Sequence, residues 1–291
     1  MKVGIYRFHE ILDEGFLTSL ELKYRTPIHI LSVYRAWNRC KIKDDLPWLE
    51  RLKRSPRDIL LTWEPWQVSS NNPKPYDQPA FSLRNILSGR YDCYICAFAK
   101  ALKEFPRGIY LRPMHEMNGN WYPWCGTVNG NTVESFALAW RHIQNLVAAE
   151  TESQVSWVWS PYARSYPDDR SNSIEDYFPG DSAVDWIGLD GYNWGKSADT
   201  STWQSFEEIF SDSYATATRI SRRPIMIAET ACAEAGGNKA QWITNACQAL
   251  KMRFQRIEIL IWFDHNKERN WEIASSAAAL GAFQGFADPH S

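Results

Sequence analysis

The residues best equipped for chemistry in this chain fall in one run, Arg112-Pro-Met-His-Glu-Met-Asn-Gly-Asn-Trp-Tyr-Pro-Trp124. It sets a carboxylate, Glu116, beside Arg112, His115 and Asn118, with Trp121 and Trp124 just downstream. A carboxylate can pass a proton or attack a carbon. Indole faces offer flat apolar surface, which suits the apolar faces of a pyranose ring, while the polar groups suit its hydroxyls. The chemistry implied is the holding and cutting of a sugar.

Other chemistries find less support. A zinc H-E-x-x-H helix would need histidine at 119, and that residue is Gly119. No G-x-S-x-G elbow or Walker loop occurs, and Gly236-Gly237 reads as a turn. Cys93 and Cys96 form a C-x-x-C with no second pair at zinc spacing, so free, packed thiols are expected. Neither metal nor cofactor is expected. The 32 basic residues nearly balance the 34 acidic ones, and no Lys/Arg run stands out, which argues against nucleic acid as a partner. No apolar stretch of about 18 residues is present to cross a membrane. The N-terminus reads straight into a strand with no leader before it, so the compartment stays open: inside the cell, or secreted if a leader was removed. A monomer is expected.

Short apolar runs at 2–7, 27–34, 58–63, 108–114, 155–160, 184–190, 224–228 and 257–263 read as strands, and amphipathic runs separate them. The clearest helix is 131–150, starting at Asn131 with Glu134 three residues on. Others are expected over 92–104, 203–220, 239–254 and 273–283. Continuously apolar strands suggest a parallel sheet covered on both faces. Eight strand-helix units without a linker predict an α/β fold, a single (β/α)₈ TIM barrel domain over 1–291. Residues 67–90, with Pro73, Pro75 and Pro79, read as a loop over its mouth.

Active sites of such barrels sit at the carboxyl ends of the strands. Those ends here carry Arg35-Ala-Trp37, Trp63-Glu-Pro-Trp66, His115-Glu116, Trp159-Ser-Pro-Tyr162, Asp190-Gly-Tyr-Asn-Trp194, Glu229-Thr230 and Trp262-Phe-Asp-His265. Of the 15 tryptophans, those at 37, 63, 66, 121, 124, 159, 194 and 262 lie at or just past an end, which predicts an aromatic-lined cleft rather than core packing. A lone Glu at a strand end is most simply an ion pair or a cap. Two of them, Glu116 and Glu229, facing one aromatic cleft match the pair of a retaining glycosidase, about 5–5.5 Å apart, with the charge on one raising the other's pKa.

Arg-Pro-Met-His-Glu-Met-Asn-Gly-Asn-Trp resembles the signature of glycoside hydrolase family 26, retaining β-glycan hydrolases on a (β/α)₈ barrel, and the strand order extends the likeness over nearly the whole chain. The resemblance implies Glu116 as acid/base and Glu229 as nucleophile. It implies that His115 contacts the sugar and the nucleophile, that Arg112 orients the carboxylates, and that Trp121 lies beside the scissile bond. Asp190 and Tyr192 match an Asp-x-Tyr whose hydroxyl lies near the nucleophile, and Trp262 would floor the sugar at subsite −1. Where many mannanases of the family have Trp-His, this chain has Trp63-Glu64, and that third carboxylate would bind sugar hydroxyls, tune the pair, or signal a different sugar. The implied function is a retaining endo-β-glycanase with β-1,4-mannan as leading substrate. The alternatives are a β-1,3-1,4-glucanase, a β-1,3-xylanase, or a non-catalytic carbohydrate-binding barrel.

Overall fold

The computed structural model describes residues 1–7, 12–69, 72–151 and 154–286. Eight strands, β1 (Lys2–Tyr6), β2 (Ile30–Ala36), β3 (Asp58–Glu64), β4 (Ile109–Pro113), β5 (Val155–Trp159), β6 (Trp186–Asn193), β7 (Ile225–Cys232) and β8 (Ile257–Phe263), pair in parallel in chain order. β8 returns to β1 and closes the barrel, as expected. Around it lie α1 (Glu14–Tyr24), α2 (Ile42–Lys53), α3 (Leu83–Leu87), α4 (Asp92–Lys103), α5 (Val133–Thr151), α6 (Phe206–Ile220), α7 (Lys239–Met252) and α8 (Ala277–Phe286).

The strand-helix alternation is less uniform than the sequence suggests. The β3–β4 connection carries both α3 and α4, whereas β5–β6 has no α-helix, only 3-10 turns at Arg170–Asn172 and Ile174–Tyr177. That stretch is broken by Pro161, Pro167, Pro179 and Gly180. Asp169 accepts the Ser171 N–H (2.8 Å) and caps the start of the first short turn. Residues 67–90 are likewise not all loop, because Leu83 and Ile86 bury one side of α3. The start of α5 also differs. Thr132 Oγ1, not Asn131, accepts the Ser135 N–H (3.1 Å), while the Asn131 amide ties down Pro123 and Cys125 carbonyls.

Pleating divides each strand between two cores. Ile30, Leu60, Val158, Met226, Ala228, Ile259 and Ile261 plug the barrel interior. Their neighbours, such as Leu31, Leu61, Trp157 and Leu260, face the helices in a second, larger cluster. Toward the carboxyl ends the inward positions turn polar while the outward ones stay apolar: Ser32 and Tyr34 on β2, Thr62 and Glu64 on β3, Arg112 on β4, Ser160 after β5, Asp190 on β6. The interior therefore changes from hydrocarbon plug to polar basin along one set of strands.

Candidate active site

A slip in one strand aims the second glutamate into that basin. β6 and β7 pair from Ile187↔Ile225 to Leu189↔Ile227, then shift so that Asp190 faces Glu229. β7 shifts against β8 over the same residues. Ala228 already points into the barrel, so in an unbroken strand the next side chain would point out toward the helices. The extra residue turns Glu229 inward as well.

Arg112 then organises the interior. Its Nε and Nη2 donate to Thr62 Oγ1 (2.9 and 2.7 Å), its strand neighbour. Nη1 donates to both Asp190 oxygens (2.9 Å each), and Nη2 to Glu229 Oε1. Tyr192 donates its hydroxyl to Glu229 Oε2 (2.5 Å), and Ser160 donates to Asp190 Oδ1 (3.0 Å). Burial pushes the Glu229 carboxyl up, but Arg112, the neighbouring His115 and the hydrogen bonds from Tyr192 and Tyr34 together outweigh it and hold it down to about 2. His115, Nε2 3.8 Å from Glu229 Oε1, is driven down to about 3 by burial and by Arg112. It is neutral at pH 7, so the charge that ionises Glu229 is the guanidinium's.

Glu116 meets the opposite conditions. It sits in a turn after β4 in which Met114 and Glu116 both have left-handed backbone (φ 49° and 52°), a conformation costing about 1–2 kcal/mol for each non-glycine residue. The Glu116 N–H donates to Ser160 O (2.7 Å) and the Trp124 indole to His115 O (2.7 Å), bonds that over-determine the turn. Trp121 Nε1 donates to Glu116 Oε2 (2.6 Å), and its ring lies where any Gly119 side chain would be, 2.5 Å from an added Cβ. Burial, then the charge on Glu229, raises the Glu116 carboxyl to about 8, against the pull of the Trp121 N–H. Near neutral pH the two therefore differ, Glu229 favouring the ionised form and Glu116 the protonated one. Glu64, on the inward face of β3, accepts the Trp66 indole N–H (3.3 Å) and is lifted by burial to about 7.

The profile of Glycosyl hydrolase family 26 matches residues 67–271, a span holding both Glu116 and Glu229. The chain belongs to glycosyl hydrolase family 26. It is 36% identical over 241 residues to Endoglucanase H of Acetivibrio thermocellus, covering 82% of this chain and 25% of that protein. With the Mannan endo-1,4-beta-mannosidase A and B of Caldalkalibacillus mannanilyticus it shares 26% over 176 residues, 57% of this chain and 30% of that one. The chain thus spans about a quarter of the length of the curated relatives it matches. The catalytic domain of a Bacillus sp. JAMB-750 GH26 endo-β-1,4-mannanase superposes with a TM-score of 0.74 at 16% identity, over 98% of this chain and 85% of that one, a likeness of fold.

In this family 26 chain, Arg112, His115, Glu116, Trp121, Asp190, Tyr192, Glu229 and Glu64 come together at the mouth. Two expected sugar contacts do not. Trp63 is fully buried on the outward face of β3 and stacks on Phe98 of α4 (4.5 Å, 18°). Trp262 lies outward on β8, edge-on to Trp242 of α7 (6.0 Å) and Phe283 of α8 (5.8 Å), with its indole donating to Trp271 O (2.8 Å). Strand parity decides both, since each follows an inward residue, Thr62 or Ile261. The inward aromatic on β8 is Phe263, stacked on Tyr6 (4.4 Å). Trp37, Trp124 and Trp159 are buried too, leaving Trp66, Trp121 and Trp194 partly open, so core packing accounts for most of the strand-end tryptophans. Tyr34, Thr62 and Ser160 were missed. For two of them a signal was available, because Thr62 before Trp63 and Ser160 after Trp159 are each the polar member of a polar-aromatic pair at a strand end.

Proposed function

We propose that this family 26 chain is a retaining endo-β-glycanase working by double displacement. The observation that carries the reading is two buried glutamates in one basin with unlike partners. Glu229 is held by Arg112 and Tyr192 and Glu116 by the Trp121 indole, and their surroundings push Glu116 up and Glu229 down. Ionised Glu229 attacks the anomeric carbon while Glu116 gives its proton to the leaving glycosidic oxygen. Glu116, now a carboxylate, takes a proton from water, whose oxygen attacks the same carbon and releases Glu229; two inversions give net retention. Arg112 and Tyr192 fix the Glu229 oxygens for attack. His115, neutral and beside Glu229, is left to bond a sugar hydroxyl, and Trp121 lies next to Glu116 as a platform at the scissile bond.

Two substrates compete. β-1,4-Mannan follows from the signature and from the mannanases among the relatives. A β-glucan is supported by two observations: the more extensive match is to a protein named an endoglucanase, and Glu64 occupies the mouth where many mannanases have histidine. Initial rates on mannan, mixed-linkage β-glucan and β-1,3-xylan separate them. On an activated aryl glycoside, Glu116→Ala should keep glycosylation and regain turnover with azide, while its activity on the polymer falls about 10²–10⁴-fold. Glu229→Ala should turn over neither. Hydrolysis by both variants at the unaltered rate sinks the assignment, and sugar binding without turnover by the unaltered chain returns the non-catalytic barrel.

A further inference from the structure

Six of the seven strand-to-strand connections carry an α-helix, and the β5–β6 connection, all of whose residues are described, does not. The Ile174–Tyr177 turn takes that helix's place, its Tyr177 packed on Phe136 of α5. Beside it there is a cavity of about 890 Å³, within the roughly 300–1,000 Å³ range of ligand sites. One wall is a face of α6 given by Glu208, Asp212 and Thr216 with Ile209 and Ser213, residues that repeat at helical spacing. The other is the 164–176 segment with its two 3-10 turns. At the mouth end the cavity is bounded by Tyr162 and Tyr192, and Tyr192 is the residue hydrogen-bonded to Glu229.

The aromatic contacts give the cavity a direction. Trp121, which holds Glu116 through its indole N–H, lies edge-on to Tyr162 (5.3 Å, 85°) and against Tyr166 (5.7 Å), and both tyrosines line the cavity. An acid that protonates the leaving oxygen faces the leaving sugar, so that sugar lies on the Trp121 side and its continuation meets Tyr162 and Tyr166. The lining chemistry matches a neutral polyol. Asp168 is paired with Arg164 and Glu175 with Arg219, and Asp169 and Glu208 cap local turns. Asp176 and Asp212 with Gln204 and Thr216 remain to meet hydroxyl groups. Such carboxylates repel acidic sugars.

We propose that this flank groove between the β5–β6 connection and α6 binds the leaving-group end of the same neutral β-glycan, several sugars beyond the scissile bond. The proposal rests on the hydrolase reading above. The experiment compares kcat/KM on β-glucan and β-mannan oligosaccharides of increasing length, for the unaltered chain and for Thr216→Trp, which fills the groove, and Asp212→Ala, which removes an acceptor. Neither side chain contributes to the basin of Glu116 and Glu229. On the shortest oligosaccharide cut, both variants should match the unaltered chain; on long oligosaccharides and polymer, kcat/KM should drop about five- to tenfold through KM. Equal rates of variant and unaltered chain on long substrates overturn the groove and leave the hydrolase reading standing, as does an equal loss at every length. An unaltered chain inactive at all lengths overturns both.

Discussion

Arg112 donates to Asp190 through Nη1 and to Glu229 through Nη2, whereas among the described residues the one side-chain donor to Glu116 is the Trp121 indole. Arg112, His115 and two tyrosine hydroxyls together lower Glu229, while burial and the charge on Glu229 raise Glu116, so of the two glutamates Glu116 favours the proton. On the proposed mechanism the active form, Glu116 protonated and Glu229 ionised, extends between the two shifted values. kcat/KM should fall on the alkaline side as Glu116 loses its proton near pH 8, and on the acid side only as Glu229 gains one toward pH 2. Trp121→Phe removes the donor that favours charged Glu116, so the alkaline limb should move to higher pH. A pH–rate profile reads this, and an unmoved limb would show that the indole bond does not set the Glu116 proton. At this scale the sequence was legible for Glu116, Glu229, Arg112 and Tyr192, whose side chains have no rival use in a barrel interior. It misled for Trp63 and Trp262, because a tryptophan serves equally as core or platform.

Elements position these groups through parity and its one exception. On β3, β5 and β6 a simple alternation carries Thr62, Ser160 and Asp190 inward; on β7 the bulge at Ala228 is needed to bring Glu229 round. The interior has room for this because Gly188 lacks a side chain. A Cβ there would lie 2.5 Å from Ser160 Oγ and 3.1 Å from Ala228 Cβ. Gly188→Ala should push Ser160 off Asp190 and overpack the bulge, costing about 1–3 kcal/mol in chemical denaturation and lowering kcat with it. An alanine variant of unchanged stability and rate would mean the bulge is looser than drawn. The strands were readable because their apolar runs are short and bounded. The absent β5–β6 helix and the present α3 were not, since chain-breaking prolines and a few buried residues decided them.

Across the whole molecule, one outer cluster of buried side chains draws on every strand of the closed barrel and on the helices around it. With no seam to separate along, the described chain should unfold in a single cooperative calorimetric transition, and two resolved transitions would argue against one domain. All six cysteines are free, so a reductant should leave that transition where it is. The sequence by itself determined the barrel, the family signature and the two glutamates, because these follow from local periodicity and from residue types that cannot be buried without purpose. Tertiary structure alone decided which face each strand-end residue takes, how Arg112 is shared between Asp190 and Glu229, and where a helix is missing. Those outcomes depend on register, on a one-residue slip in β7, and on the distance from one guanidinium to carboxylates far away in the chain. None of these is written in the spacing of residues along a strand.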